Sequence, residues 1–197
     1  MKWIFMGCII IFLSVILSAR VNAILSPQAE LSVMINAVRE LITDPKRSPA
    51  LRQKELHTIL TDRFDLREMS RRALDNHWDT TSANQEQFVS LFTRYIERLF
   101  LKYMREVRSI EVAYLVDRSV KASAYIDTKF MVKTPKSSND YYVDFKMRFS
   151  DEKWKIFDVI VQGIRITSVF RSQFKAILEK HTFEEMLQII ERKLQPV

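Results

Sequence analysis

Two glycines and one cysteine are all that the 197-residue chain contains of either type. Glycine lets a backbone pass close to a phosphate, and Gly7 and Gly163 stand alone. There is therefore no glycine-rich phosphate loop, which excludes Rossmann, P-loop and kinase-type nucleotide sites. No G-x-S-x-G segment occurs, so the hydrolase nucleophile elbow is absent too. The three histidines, His57, His77 and His181, lie in or beside helical segments among polar neighbours, without metal-ligand spacing. What is present is 47% hydrophobic, 11% aromatic and 28% charged residues. That composition excludes a disordered chain, a collagen-like repeat and a multi-span membrane protein, and the length suits one domain with a sizeable core.

The one long apolar run is N-terminal. Lys2 leads into Trp3 to Leu17, which is apolar apart from Gly7 and Ser14, and Val21-Asn22-Ala23 offers the residues a signal peptidase requires. A spanning helix needs roughly 20 residues, more than this run supplies. Residues 1–23 therefore read as a cleaved export signal to the periplasm, an uncleaved anchor being the alternative. Cleavage removes Cys8, so the exported domain has no disulfide and rests on its core alone. It also removes Lys2 and Arg20, which lowers the formal charge from +7 to +5. For an exported chain that charge points to an anionic membrane or an acidic protein rather than to nucleic acid, with solubility as the plain alternative.

Residues 24–105 read as helices. Leu31, Met34, Ile35, Val38, Leu41 and Ile42 recur at three- and four-residue spacing between Pro27 and Pro45, and Pro49 opens a second helix with Leu56, Ile59 and Leu60. Asp65 to Glu68 forms a capping-box pattern for a short helix to about Leu74. A second such pattern, Ser82 to Gln85, starts the longest helix, whose stripe is Phe88, Leu91, Phe92, Tyr95, Leu99 and Tyr103. From Ile110 to Val161 the period becomes two. Ile110, Val112, Tyr114 and Val116 alternate with polar or small neighbours, and so do Val120 to Phe130 and Tyr141 to Phe149. Trp154 to Val161 is apolar on both faces except for Lys155 and Asp158. Four strands on short connections predict an antiparallel meander with one apolar face. Helix returns over 167–197, with Thr167 or Ser168 as one cap and the box Thr182 to Glu185 as another. The fold class is α+β: a curved sheet of about four strands packed with N- and C-terminal helices.

Asp158 is the one carboxylate in a strongly apolar strand. A lone buried acid serves either as a general base or as a structural acceptor neutralised by an arginine or bonded to backbone. The second reading is preferred because nothing else converges on Asp158.

Two stretches carry a resemblance. One is Phe64-Asp65-Leu66-Arg67-Glu68-Met69-Ser70-Arg71-Arg72-Ala73-Leu74, with Trp78, Phe88, Phe92 and Tyr103 after it. The other runs from Trp154-Lys155-Ile156-Phe157-Asp158-Val159-Ile160-Val161-Gln162-Gly163-Ile164 into Phe170-Arg171-Ser172-Gln173-Phe174. Together they resemble the toluene-tolerance, or MlaC-type, family of periplasmic phospholipid-binding proteins over nearly the whole exported chain. The resemblance implies a cystatin-like sheet, a deep apolar cavity holding acyl chains, no cofactor, and phospholipid as cargo. It also implies a monomeric, non-enzymatic shuttle between an inner-membrane ABC transporter and an outer-membrane lipoprotein complex; a hopanoid-related lipid is the alternative cargo. Three departures stand out: Asp75 where the family usually has glycine, Val169-Phe170 in place of Asn-Tyr, and Arg165 in place of a small polar residue.

The expected cavity lies between the meander and the 84–105 helix. Its candidate lining is Phe92, Leu99, Phe100 and Tyr103 from the helix with Val112, Tyr114, Val143, Phe145 and Met147 from the sheet; Phe170 and Phe174 close one end. A phosphate at the wet rim calls for cations, and Arg165, Arg171 and Lys175 are the candidates. A filled core gives the same apolar stripes. The competing functions are an exported cystatin-like enzyme, a small hydrolase or isomerase using Asp158 or a histidine, and a secreted interaction module with a solid core.

Overall fold

The computed structural model describes residues 25–195. The expected export segment, 1–23, lies outside them. Helix α1 (Pro27–Thr43) starts with Ser26, whose hydroxyl accepts from the Ala29 N–H at 3.2 Å, and Pro27 takes the first helical position. Ser48 and Pro49 repeat the device for α2 (Pro49–Arg63). Asp65 caps α3 (Leu66–Leu74) by accepting from the Glu68 N–H at 3.0 Å. Glu68 does not complete the box. Its carboxylate takes hydrogen bonds from Arg71 and Arg72 at 2.8 and 2.7 Å. The Arg71 hydrogen bond above all holds that carboxyl below its usual range, burial opposing and Arg72 assisting.

Two short 3₁₀ turns (Asp75–His77 and Asp79–Asn84) lead into α4 (Gln85–Met104). Helix α4 starts at Gln85, later than the expected cap at Ser82, and Asn84 in its cap position makes no side-chain cap bond. The Gln85 amide instead donates to the Trp78 carbonyl at 2.9 Å and its oxygen accepts from Arg67. The strands β1 (Ser109–Val120), β2 (Ser123–Lys133), β3 (Ser138–Ser150) and β4 (Lys153–Val161) follow in one antiparallel meander. A two-residue β5 (Ile164–Arg165), absent from the sequence reading, pairs back on β4 after the Gln162-Gly163 turn. That turn puts Gln162 at φ 51° and Gly163 at φ 77°. Helices α5 (Ile166–Leu178) and α6 (Phe183–Leu194) complete the chain. The Thr182–Glu185 capping box forms in full, but α5 begins at Ile166 with no side-chain cap; Thr167 spends its hydroxyl elsewhere.

Two bulges set which side chains face inward. A shift at Leu115 pairs Val116 with Asp127, so Val116 leaves the face of Val112 and Tyr114 that the strict alternation assigned to it. A second shift at Phe157 pairs Asp158 with Lys146 and Val159 with Phe145. Asp158 is thereby turned to the outer face while Ile156 and Val159 both remain inside.

The buried side chains form three clusters. Helix α1 lays Leu31, Met34 and Ile35 on the sheet's inner face, against Ala124, Ile126, Phe145, Met147, Trp154 and Ile156. A helical cluster joins α3, α4, α5 and α6 through Phe88, Phe92, Phe170, Phe174, Met186 and Ile190. Leu41 and Ile42 meet Leu56, Leu60, Val107 and Ile110 in the third. Phe64, at the α2–α3 junction, packs against all three, and the Asp65 N–H donates to the Ile156 carbonyl at 2.7 Å. That contact anchors the helical layer to β4.

Asp75, where the resemblance implied a glycine, has φ 51° and ψ −121°. An L-residue pays about 1–2 kcal/mol for a backbone on this side of the map. Its ion pair with Arg171, 3.7 Å between half-exposed groups, returns little. Asp75→Gly is expected to stabilise the protein by about 1 kcal/mol in urea unfolding; a loss of stability would show that the strain is not there.

Candidate functional site

The eleven candidate lining residues do not share one wall. Phe92, Phe170 and Phe174 are buried together in the helical cluster, with ring centroids 4.8 Å (Phe92–Phe170) and 5.7 Å (Phe92–Phe174) apart and Phe88 stacked on Phe92 at 5.6 Å. Leu99 packs on the edge of that cluster, and Phe100 on the third. Tyr103 is 69% exposed. Val112, Tyr114, Val143, Phe145 and Met147 do come together, on the inner face of the sheet, where α1 is the main partner; Val112 also belongs to the third cluster, with Phe100 and Met104 of α4. The long helix turns its aromatic stripe toward α5 and α6, whose own apolar faces need a cover as wide as that stripe. The candidate lining is therefore divided between the helical cluster and the seam of the sheet with α1.

That seam is unevenly filled. Phe145 and Met147 are nine-tenths buried or more, whereas Val112, Tyr114, Phe130, Val143 and Val159, on the same inner face, are only partly covered. Phe130 and Phe145 meet at 6.2 Å. Thr128, the one hydroxyl in the middle of this wall, is silenced by donating to the Val143 carbonyl at 2.5 Å. The inner face thus offers an apolar strip running from a closed end near Met147 and Trp154 to an open one near Val112, Tyr114 and Val143.

Asp158 is fully buried on the other face. It accepts from the Val159 N–H at 3.0 Å, the Thr167 N–H at 3.4 Å and the Thr167 hydroxyl at 2.9 Å, and the Arg165 guanidinium lies 3.5 Å away. Both structural roles foreseen for it, an arginine partner and backbone bonding, are met. The carboxylate locks the start of α5 to β4. Lys146 stands across the ladder from it, and its pKa is lowered by burial first and by Arg165 second, Asp158 opposing.

The candidate headgroup cations are dispersed. Arg165 is committed to Asp158, and Arg171 donates from Nε to the Arg72 carbonyl at 3.1 Å. Arg171 and Lys175 line a pocket of about 130 Å³ with Leu74, Asp75, Asn76 and His77. A larger pocket of about 490 Å³, lined by His77, Thr80, Thr81, Asn84, His181 and Glu184 among others, opens beside the α5–α6 connection. Both lie on the helical layer, and the larger is walled mostly by polar groups, which do not suit acyl chains. Phe170, where the resemblance implied a tyrosine, packs its ring in the core against Phe92 and Tyr95. Among the described residues no group of three or more His, Cys, Asp and Glu side chains is arranged to hold a metal ion. No described helix is long and apolar enough to cross a membrane.

Sequence reasoning missed the role of α1 and one buried acid. Leu31, Met34, Ile35 and Val38 were legible as a helical stripe, but nothing in a stripe names its partner. Glu97, on the long helix, is buried and meets His57 Nδ1 of α2 at 2.6 Å. Its place two residues after Tyr95 and two before Leu99, flanked by Ile96 and Arg98, gave little signal of burial.

The family model described as MlaC protein matches residues 32–192. The chain belongs to the MlaC family. No curated protein sequence matches it. Among solved structures it is similar to a phospholipid-binding protein from Ralstonia solanacearum determined in complex with a phospholipid. The two share 19% sequence identity at a TM-score of 0.70, covering 86% of this chain and 97% of that one. The likeness establishes the MlaC-type α+β fold: a curved, unclosed sheet with helices packed on it.

Removing the lock between β4 and α5 tests its structural reading. Asp158→Ala leaves the Thr167 hydroxyl and the Arg165 guanidinium without their acceptor and should cost about 2–4 kcal/mol in urea unfolding. A change under about 0.5 kcal/mol, the level of an ordinary surface substitution, would contradict it.

Proposed function

We propose that this MlaC-family protein is a periplasmic, non-enzymatic carrier that binds a phospholipid with its acyl chains against the inner face of the sheet. The observation that carries this reading is the strip of partly covered apolar side chains, Val112, Tyr114, Phe130, Val143 and Val159, facing α1 across the sheet's open end. The phospholipid held by the Ralstonia solanacearum protein of the same fold supports it.

The energetics require depth. A two-chain phospholipid hides some 30 methylenes from water, worth about 0.8 kcal/mol each, and a bilayer already supplies that stabilisation. Leaving five methylenes wet costs about 4 kcal/mol, close to a thousandfold in affinity. A shallow groove therefore fails as a carrier. Acyl chains must pass under α1, trading the contacts of Leu31, Met34 and Ile35 with the sheet for contacts of similar kind with hydrocarbon. Because both walls are apolar, that exchange costs little beyond the ordering of the lipid. The partners that fit such a role are an inner-membrane ABC transporter and an outer-membrane lipoprotein complex, between which the loaded protein moves.

Asp158 has structural donors on both oxygens, which favours the carrier reading over the exported enzyme. The cationic rim reading of Arg171 and Lys175 is weaker, since their pocket lies on the helical layer and not at the mouth of the seam.

Native mass spectrometry of protein purified without added lipid should show a co-purifying phospholipid mass. Val112→Glu places a charge in the partly covered strip and should abolish that adduct while leaving the circular dichroism spectrum unchanged. A folded Val112→Glu protein that retains lipid as the wild type does would sink the assignment of the seam.

A further inference from the structure

The edge of α4 carries a cationic stripe of which the fold uses only Arg98 and the proposed cargo site uses none. Arg94, Arg98, Lys102 and Arg105 follow one another at three- and four-residue spacing, which places them along one side of the helix. Arg94, Lys102 and Arg105 are exposed. The end of α6 lies alongside: Arg98 donates to the Leu194 carbonyl at 3.1 Å, and the Lys193 ammonium sits 5.6 Å from the centre of the Tyr95 ring. Arg192 extends the same helix end. Among the described residues, none of these six cations has a carboxylate within 4.0 Å. The acids of the two segments are few: Glu97 is buried against His57, leaving Glu106 and Glu191 as exposed neighbours.

Like charges repel along a helix, so a stripe of this kind lowers stability unless something external neutralises it. Its apolar companions indicate what that is. In the last turns of α4, Phe100, Leu101 and Met104 pack on the third cluster, whereas Tyr103 is 69% exposed with the Lys102 ammonium 5.9 Å from its ring centre. Cations on flexible stems beside an exposed aromatic ring match the headgroup layer of a bilayer, where charge meets phosphate and the ring sits at the boundary. The geometry points to this face, the α4 C-terminal half with the end of α6, as the surface by which the protein docks on an anionic phospholipid membrane. Docking here rests on the carrier reading for its purpose, since a carrier must meet the layer it draws from or feeds.

Each Lys or Arg near an anionic surface contributes roughly a fivefold gain in partition, lost as salt shortens the reach of the charge. Co-sedimentation of the full exported chain with vesicles of phosphatidylcholine alone, and of phosphatidylcholine mixed equally with phosphatidylglycerol, tests this. Wild type should bind only the mixed vesicles, and high salt should release it. The triple variant Arg94→Glu, Lys102→Glu, Arg105→Glu should lose about 100-fold or more in partition. A control triple reversal at exposed lysines elsewhere, Lys121→Glu, Lys136→Glu, Lys180→Glu, keeps the same net charge and should lose far less. Equal losses in the two variants, equal binding to neutral vesicles, or wild type retained on immobilised polyglutamate but not on mixed vesicles would each overturn the proposal, the last in favour of an acidic protein partner. Native mass spectrometry of the same samples separates the two readings. Lipid-loaded wild type that ignores anionic vesicles defeats the docking surface alone, whereas wild type that binds them but never carries lipid defeats the carrier alone.

Discussion

Burial of Leu31, Met34 and Ile35 of α1 against Ala124, Ile126, Phe145 and Met147 decides which face of the meander is inside. The strands alternate strictly enough that a one-residue slip would send Phe145 and Met147 to solvent, so the register of β2 and β3 is specified by this single apolar cover. The bulges at Leu115 and Phe157 then adjust the alternation where it would conflict with the rest of the chain. The second of them gives one strand two jobs: Ile156 and Val159 line the inside, while Asp158 reaches out to hold α5.

The helical layer is a separate packing problem with a separate solution. Phe88, Phe92, Phe170 and Phe174 form a tight aromatic group whose edge-to-face contacts leave no wall free. It is joined to the sheet through Phe64, the Asp65–Ile156 backbone bond, the Arg148–Asp65 ion pair and the Asp158–Thr167 lock. One layer is closed around its aromatic group; the other, covered mainly by α1, has the partly covered strip. A carrier needs both properties, a frame that keeps its shape and a seam that gives way.

Most of the fold was legible in the chain because its signals are local. Pro27, Pro49 and their preceding serines mark helix starts, the period changes at Ile110, and Thr182 to Glu185 is a cap that forms as written. The errors arose where a side chain had a better offer at long range. Gln85 left its cap for Trp78 and Arg67, and Thr167 left its cap for Asp158. The bulges were hidden because a run apolar on both faces, such as Trp154 to Val161, reads the same with or without an extra residue. The candidate lining was legible as apolar stripes, without their partners. Val112, Tyr114, Val143, Phe145 and Met147 share one face because they alternate along paired strands, but no stripe says which helix covers it. Here α1 covers most of that face, and the first half of α4 packs on the aromatic side chains of α5.

The carrier function depends on where the hydrocarbon goes. A crystal structure of the protein purified with its lipid tests this directly. Acyl density running between α1 and the inner face of β1, β2 and β3, past Val112, Tyr114 and Val143, is the predicted result. Density lodged instead among Phe92, Phe170 and Phe174 in the helical layer, with α1 still seated on the sheet, would contradict it.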